Sequence, residues 1–326
     1  MLWTFAAVAV LAAEFARAMH DEAASTRNFK ESVRARMIAV AGVNEVILAL
    51  RADRKTGANH IDGDDDDEEA ADPVRRLARG NGQWVKLAFL GTPCEVRVVD
   101  EGGKISLNRA DANMLTLIMQ NLEVPEEDAK VVVDSIQDWR DSDDFHLPNG
   151  AESEYYEGLD RPYMAKNAYF DTVEELLLVR GVTHDLFYGH DDVPGLRDIF
   201  SVFTKSRAPN AKSAPPAVMQ ALGGLDHDDA ETLGQDRYKS GGQAALDQLK
   251  AKLQAAGVST TNAIPKQMTI EARVRDATGR AVLAHVGAVI NLDSSGEGLR
   301  VFRWYDSIFD ESDQTAASGS AGDTAG

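Results

Sequence analysis

SLNRADANMLTLIMQNL (106–122), EDAKVVVDSIQDWRDSDD (127–144), HLPNGAESEYY (146–156), KNAYFDTVEELLLVRGV (166–182) and PGLRDIF (194–200) together read as helical text that continues to about Phe203, broken by one acidic turn. Apolar residues recur at helical spacing in Val132, Val133, Ile136 and Trp139, so Trp139 is expected to pack in a core. Asp171, just before Thr172-Val173-Glu174, reads as an N-cap with Glu174 at the third helical position.

The flanking residues follow a period of two. Between Gln83 and Val99, Val85, Leu87 and Phe89 alternate with Lys86 and Ala88, and Val96 and Val98 with Glu95 and Arg97. Gly91-Thr92-Pro93 breaks the run, and a short strand follows at Lys104–Leu107. Alternation returns at Met268, Ile270, Ala272 and Val274, then come an apolar run Ala281–Ile290 and a last strand Leu299–Trp304. The strands therefore fall in two groups, 83–106 and 264–309, with the helical unit 107–203 between them. Residues 204–263, rich in Pro, Gly, Ser and Ala, are expected to form a flexible insertion holding one amphipathic helix, Gln243–Ala256. The tail 310–326 has nothing to bury and is expected to be disordered.

The chain opens MLWTFAAVAVLAAEFARAM, an apolar run to Ala13 interrupted by Glu14. Ala16-Arg17-Ala18 fits a signal cleavage site, but no Lys or Arg precedes the run and helical character does not stop after it. Residues 1–20 are expected to be the transmembrane part of a long helix and 21–54 its amphipathic continuation. Val33, Met37, Val40, Val43, Ile47 and Leu50 step by three and four, and this stripe, with Val33, Met37, Val40, Val43 and Ile47 at its centre, is expected to pack against partner helices. The acidic loop 55–82 holds seven acids between Asp62 and Glu69, which repel one another and read as exposed chain or as a weak calcium loop.

Charge and composition exclude several functions. Fifty-three acidic against 34 basic side chains give a formal charge of -19, which opposes binding to nucleic acid phosphates. Cys94 is the single cysteine, so no intrachain disulfide forms. His146, His184 and His190 are scattered, and no nucleophile elbow, phosphate loop or zinc-protease motif is present, so neither an enzyme nor a small-molecule substrate is expected.

The acidic turn carries the chemistry. Asp138, Asp141, Asp143, Asp144, Glu152 and Glu154 place six carboxylates around Pro148-Asn149-Gly150. Carboxylates at a helix C-terminus oppose the macrodipole unless a cation joins them, and hard oxygen donors on a flexible turn suit calcium.

Taken together, the LN-x-A entry, the D-W-R-D helix end, P-N-G-A-E-x-x-Y-Y, K-N-A-x-F-D-T-V-E-E-L-L-L-V-R-G-V and P-G-L-R-D-I-F resemble the general secretion pathway protein K family, minor pseudopilins of type II secretion. The resemblance implies an α+β fold: a pilin-like long N-terminal helix plus a small antiparallel β-sheet, with a large all-helical domain inserted between strands. It implies a subunit at the tip of the pseudopilus that initiates or caps assembly for protein export across the outer membrane, with other minor pseudopilins as partners. It implies a single pass through the inner membrane with the globular body in the periplasm. It also implies calcium in the helical domain, carried over to Asp141, Asp143, Asp144 and Glu152. Three departures stand out: no basic leader ending in Gly precedes the apolar run, the 204–263 segment is long, and the acidic loop Asp62–Glu69 interrupts the pattern. The competing reading is a membrane-tethered helix-hairpin-helix DNA-binding protein built on L-L-L-V-R-G-V, which Asp185, Asp191, Asp192 and Asp198 beside Arg180 oppose.

Overall fold

The computed structural model describes residues 2–56, 73–89, 91–239, 242–263, 266–293, 295 and 297–306, so the acidic run 62–69 and the tail 310–326 lie outside the described residues. Helix α1 (Leu2–Thr56) is 55 residues long, roughly 80 Å at about 1.5 Å per residue. After α2 (Pro73–Ala78) come β1 (Val85–Phe89), β2 (Thr92–Asp100) and β3 (Ile105–Ser106), and then α3 (Ala112–Asn121), α4 (Glu126–Arg140) and α5 (Ser153–Glu157). A 3-10 turn at Val173–Leu178 leads to α6 (His184–Tyr188), β4 (Gly189–His190), β5 (Val193–Pro194), α7 (Leu196–Ile199) and β6 (Phe200–Ser201). Helices α8 (Pro216–Gly223), α9 (His227–Asp236) and α10 (Gln243–Ala255) precede β7 (Gln267–Arg275), β8 (Val282–Leu292) and β9 (Leu299–Asp306).

The main sheet runs β1-β2-β7-β8-β9 with every neighbour antiparallel. Because β2 and β7 are adjacent strands, the residues from 101 to 266 form an excursion that leaves the sheet at Asp100 and returns beside it, Asp100 pairing with Met268. This is the expected α+β arrangement, and a short parallel bridge between β3 and β6 closes the first part of the excursion.

Two cores result. In the first, Ile38, Ala39, Val43, Val46, Ile47 and Leu50 of α1 lie on Val96, Val98, Ile270, Ala272, Ala288 and Ile290 of the sheet. Gly42 permits the close approach, since a Cβ there would stand 3.0 Å from Cys94 Sγ and 3.4 Å from Ala272 Cβ. The partner-helix stripe is corrected here: Val43 and Ile47, like Leu50, are enclosed by the chain's own sheet, Val40 is half-buried, and Val33 and Met37 remain exposed, Met37 at 56%. An amphipathic face records only that something covers it, and in its second half α1 meets its own sheet first. In its first half Trp3, Phe5, Val8, Val10, Leu11 and Phe15 are exposed, while among the described residues no helix is long and apolar enough to cross a membrane.

The second core is that of the helical excursion, and it corrects the reading of 204–263 as a flexible insertion. Helices α8, α9 and α10 bury Val218, Met219, Leu222, Leu233, Leu246, Leu249 and Leu253 in one cluster with Leu115, Ile118 and Met119 of α3 and Ile136 of α4. Asp226 caps α9 by accepting from the backbone of Asp229 at 2.8 Å, Gly224 ends α8 in the left-handed region at φ 58°, and Asn121 donates to Ala221 O at 2.9 Å. The helical part is fastened to the sheet at Asp100, which is buried and accepts from Gly102 N at 2.9 Å, Asn210 Nδ2 at 2.9 Å and Ser213 Oγ.

Candidate functional site

Helix α4 places the acidic turn. Its first turn carries Glu126, Glu127 and Asp128, which favour the positive end of the dipole, and its apolar face buries Val132, Val133, Ile136 and Trp139. Trp139 lies edge-on to Tyr156 at 5.2 Å and to Tyr163 at 6.2 Å, the packing role its position suggested. Arg140 reaches back to Leu107 O at 2.6 Å and Ala110 O, tying the end of α4 to the entry of the domain.

Beyond Arg140 the chain folds over two aspartates of the helix. Asp138 is wholly buried, and both of its oxygens accept from Leu147 N at 3.1 Å. Burial, more than its acidic neighbours, raises its carboxyl above the usual range. Gly150 is required here, because a Cβ would sit 1.8 Å from Asp138 Oδ2. One turn earlier, Asp134 accepts from Asn149 N at 3.0 Å and Asn149 Nδ2 at 2.9 Å.

Of the four acids assigned to calcium, Asp143 and Asp144 are exposed on this turn, Asp141 is half-buried and Glu152 is buried. Asp141 ends α4, Asp143 accepts from Phe145 N at 3.0 Å, and Asp144 accepts from Asn167 Nδ2 at 2.8 Å. Glu152 is 5% exposed and neither of its carboxylate oxygens has a hydrogen-bond partner. Burial first, and then the nearby charges of Asp138, Asp141, Asp144 and Asp143, push its carboxyl up to about 7. A buried acid without a donor is costly unless it holds a proton or a cation. The chemistry of the donor set therefore fits a hard cation, although among the described residues no three His, Cys, Asp or Glu side chains already converge as a metal cage. Asn167 was not singled out in the sequence. It adopts φ 47°, its amide also donates to Asp143 O at 3.1 Å, and its buried Oδ1 has no partner, so it is a further neutral oxygen beside the turn.

Asp171 is not the cap of the helical turn that follows. Thr172 holds that position, and Glu175 accepts from the backbone of Asp171 at 2.8 Å and of Thr172 at 3.0 Å, while the Asp171 side chain pairs with Lys166 at 2.6 Å. The register moves by one because Glu175, not Glu174, can reach back over the turn while Leu176 enters the core. The Gly181 turn on which the DNA-binding reading rests is itself exposed but packs closely on α4: at φ 86°, a Cβ on Gly181 would lie 2.9 Å from Val132 Cγ2. Arg180 beside it is occupied by Gly150 O at 3.0 Å and lies over the ring of Tyr155 at 4.7 Å.

Residues 96–188, which hold all of this turn, match the family model for type II secretion system (T2SS), protein K. Type II secretion system protein K of Aeromonas hydrophila is 39% identical over 71 residues, 22% of this chain and 22% of that protein. The protein of the same description from Pectobacterium carotovorum subsp. carotovorum is 32% identical over 76 residues, 23% of each chain. The chain thus aligns with under a quarter of the length of these curated relatives. In fold the likeness is longer: a chain from the crystal structure of the GspK-GspI-GspJ complex from the enterotoxigenic Escherichia coli type 2 secretion system superposes with a TM-score of 0.59 at 13% identity, covering 87% of this chain and 100% of that one. The likeness to type II secretion system protein K is thus carried by residues 96–188, and the likeness in fold extends on either side of them.

Proposed function

We propose that this chain is a minor pseudopilin that occupies the tip of the type II secretion pseudopilus, initiating or capping its assembly with other minor pseudopilins for export across the outer membrane. The observation that carries this reading is the placement of the helical domain at the end of α1 remote from its apolar start. Arg54, in the last turn of α1, donates to Leu292 O and to Asp293 O at 2.8 Å and approaches Met268 Sδ at 3.8 Å, and Met268 pairs with Asp100, where the chain leaves the sheet. Bulk at that end leaves little room for a further subunit of the same build to stack beyond it. At the other end, the exposed Trp3, Phe5, Val8, Leu11 and Phe15 favour a single pass in the inner membrane, and Phe29, Val33 and Met37 offer neighbouring helices a contact surface, with the globular body in the periplasm.

Within the helical domain, Asp141, Asp143, Asp144 and Glu152 hold calcium in this reading, supported by the unpartnered buried carboxylate of Glu152, which feels the nearby charges of all three aspartates. The cation would supply the positive charge that Glu152 lacks and lock the turn over α4. The test is co-purification of the full chain with the counterparts of GspI and GspJ from the same secretion system, with and without a calcium chelator. A complex lost on chelation supports both parts, one indifferent to chelation retains the tip role and removes the metal from it, and no complex under either condition rejects the tip role.

A further inference from the structure

We propose that the acidic end of the helical domain is a docking surface for a polypeptide segment whose apolar anchors are flanked by Lys or Arg. Among the described residues between Glu101 and Lys266, the exposed large apolar side chains are Phe145, Tyr155, Met164, Tyr169, Leu177 and Leu178, from 38% to 84% accessible, and all fall within one stretch of 34 residues. Elsewhere in the same domain such side chains are drawn into the core. Exposed apolar groups scattered singly need no explanation, whereas a concentration of them marks a contact surface.

The segments that carry these residues are fastened to one another. Asn167 ties the 143–145 turn to the 163–170 loop through Asp143 O at 3.1 Å and Asp144 Oδ1 at 2.8 Å. Tyr163 in that loop donates to Leu178 O at 2.7 Å and stacks on Tyr156 at 5.2 Å, which in turn meets Tyr155 at 5.2 Å.

Charge selects the occupant. Residues 141–175 carry ten Asp and Glu against Arg161 and Lys166, and Lys166 is already held by Asp171 at 2.6 Å and Glu175 at 2.8 Å. A divalent ion in the acidic turn would leave this face negative. A second copy of the chain, at a formal -19, is repelled by it, as is an anionic bilayer, whereas a cationic segment is drawn in and its apolar side chains find uncovered partners. Arg180 over the Tyr155 ring at 4.7 Å shows within the molecule the kind of pairing a basic partner residue could repeat on the exposed Tyr169. The inference stands apart from the tip reading and does not require it.

The probes are a short Leu/Lys peptide carrying one benzophenone, its Leu/Glu counterpart and a Ser/Lys counterpart, photocrosslinked to the full chain in detergent with calcium present and mapped by mass spectrometry. The Leu/Lys peptide is expected to label residues 145–178, and the combined variant Phe145→Ser, Met164→Ser and Tyr169→Ser, which keeps every charge and touches only exposed side chains, is expected to lower that labelling about ten-fold or more. Because micelles take up the peptide equally for both proteins, the difference reports the surface itself. Equal labelling of the variant, of the Ser/Lys peptide or of the Leu/Glu peptide would overturn the proposal.

Discussion

Leu249→Ala distinguishes a packed 204–263 segment from a mobile one. Leu249 is fully buried in α10, in one cluster with α3, α4 and α8. Truncating a buried Leu removes its transfer free energy and leaves a cavity that close packing only partly closes, at a cost of about 2 to 5 kcal/mol. For a unit of 150–250 residues, each kcal/mol moves the thermal midpoint by roughly 2 to 4 °C, so a fall of about 5 °C or more is expected. The two cores can melt separately, so the decisive assay is calorimetry together with hydrogen exchange. Amides of α3, α8 and α10 should exchange faster in the variant, while those of β2, β7 and β8 keep their protection. A midpoint unchanged within about 1 °C, or faster exchange confined to α10, would refute the single helical core, because loss of a side chain from an unpacked segment costs almost nothing.

Gly150→Ala forces either the 147–151 loop or the Asp138 carboxylate to move, and overpacking combined with loss of the buried Leu147 N–H bond should cost about 2 to 4 kcal/mol, read from thermal melts of the helical domain. The Cys94 thiol, buried and pushed up to about 12, should resist iodoacetamide in the native protein near pH 8 and react only after unfolding; rapid native alkylation would mean that α1 lifts from the sheet. In chelator, Glu152 should make stability depend on pH. Its folded value of about 7 lies above the unfolded 4.5, so its contribution is full below about pH 4.5 and is lost as pH rises through 7, a change of roughly 3 kcal/mol. Melts of wild type and Glu152→Gln should run together at low pH, where both side chains are neutral, and separate as pH rises through 7 with wild type losing stability, and parallel curves would remove the effect.

The strands were legible because a half-buried strand must alternate: Val96 and Val98, or Ile270, Ala272 and Val274, cannot face a core in any other register. The insertion was legible from order alone, since two groups of strands separated by helical text place a domain between neighbours in a sheet. The acidic turn was visible as six carboxylates around a Pro-Asn-Gly break, and Trp139 as a core residue from its helical spacing.

What only the tertiary structure decided were matters of who covers whom. Periodicity marked the α1 stripe as buried but could not say that this chain's own sheet, in contact through Gly42, takes Val43 and Ile47 and leaves Val33 and Met37 outside. Helices as short as α8 and α9 are marginal alone and carry too few turns to show a period, so a Pro- and Gly-rich stretch reads as linker until its neighbours supply the burial that fixes it. The cap moved from Asp171 to Thr172 because Leu176 had to enter the core. Glu152 looked like any acid of the turn, and only folding placed it beneath the surface with no donor at hand, because desolvation belongs to the packed environment and not to the residue.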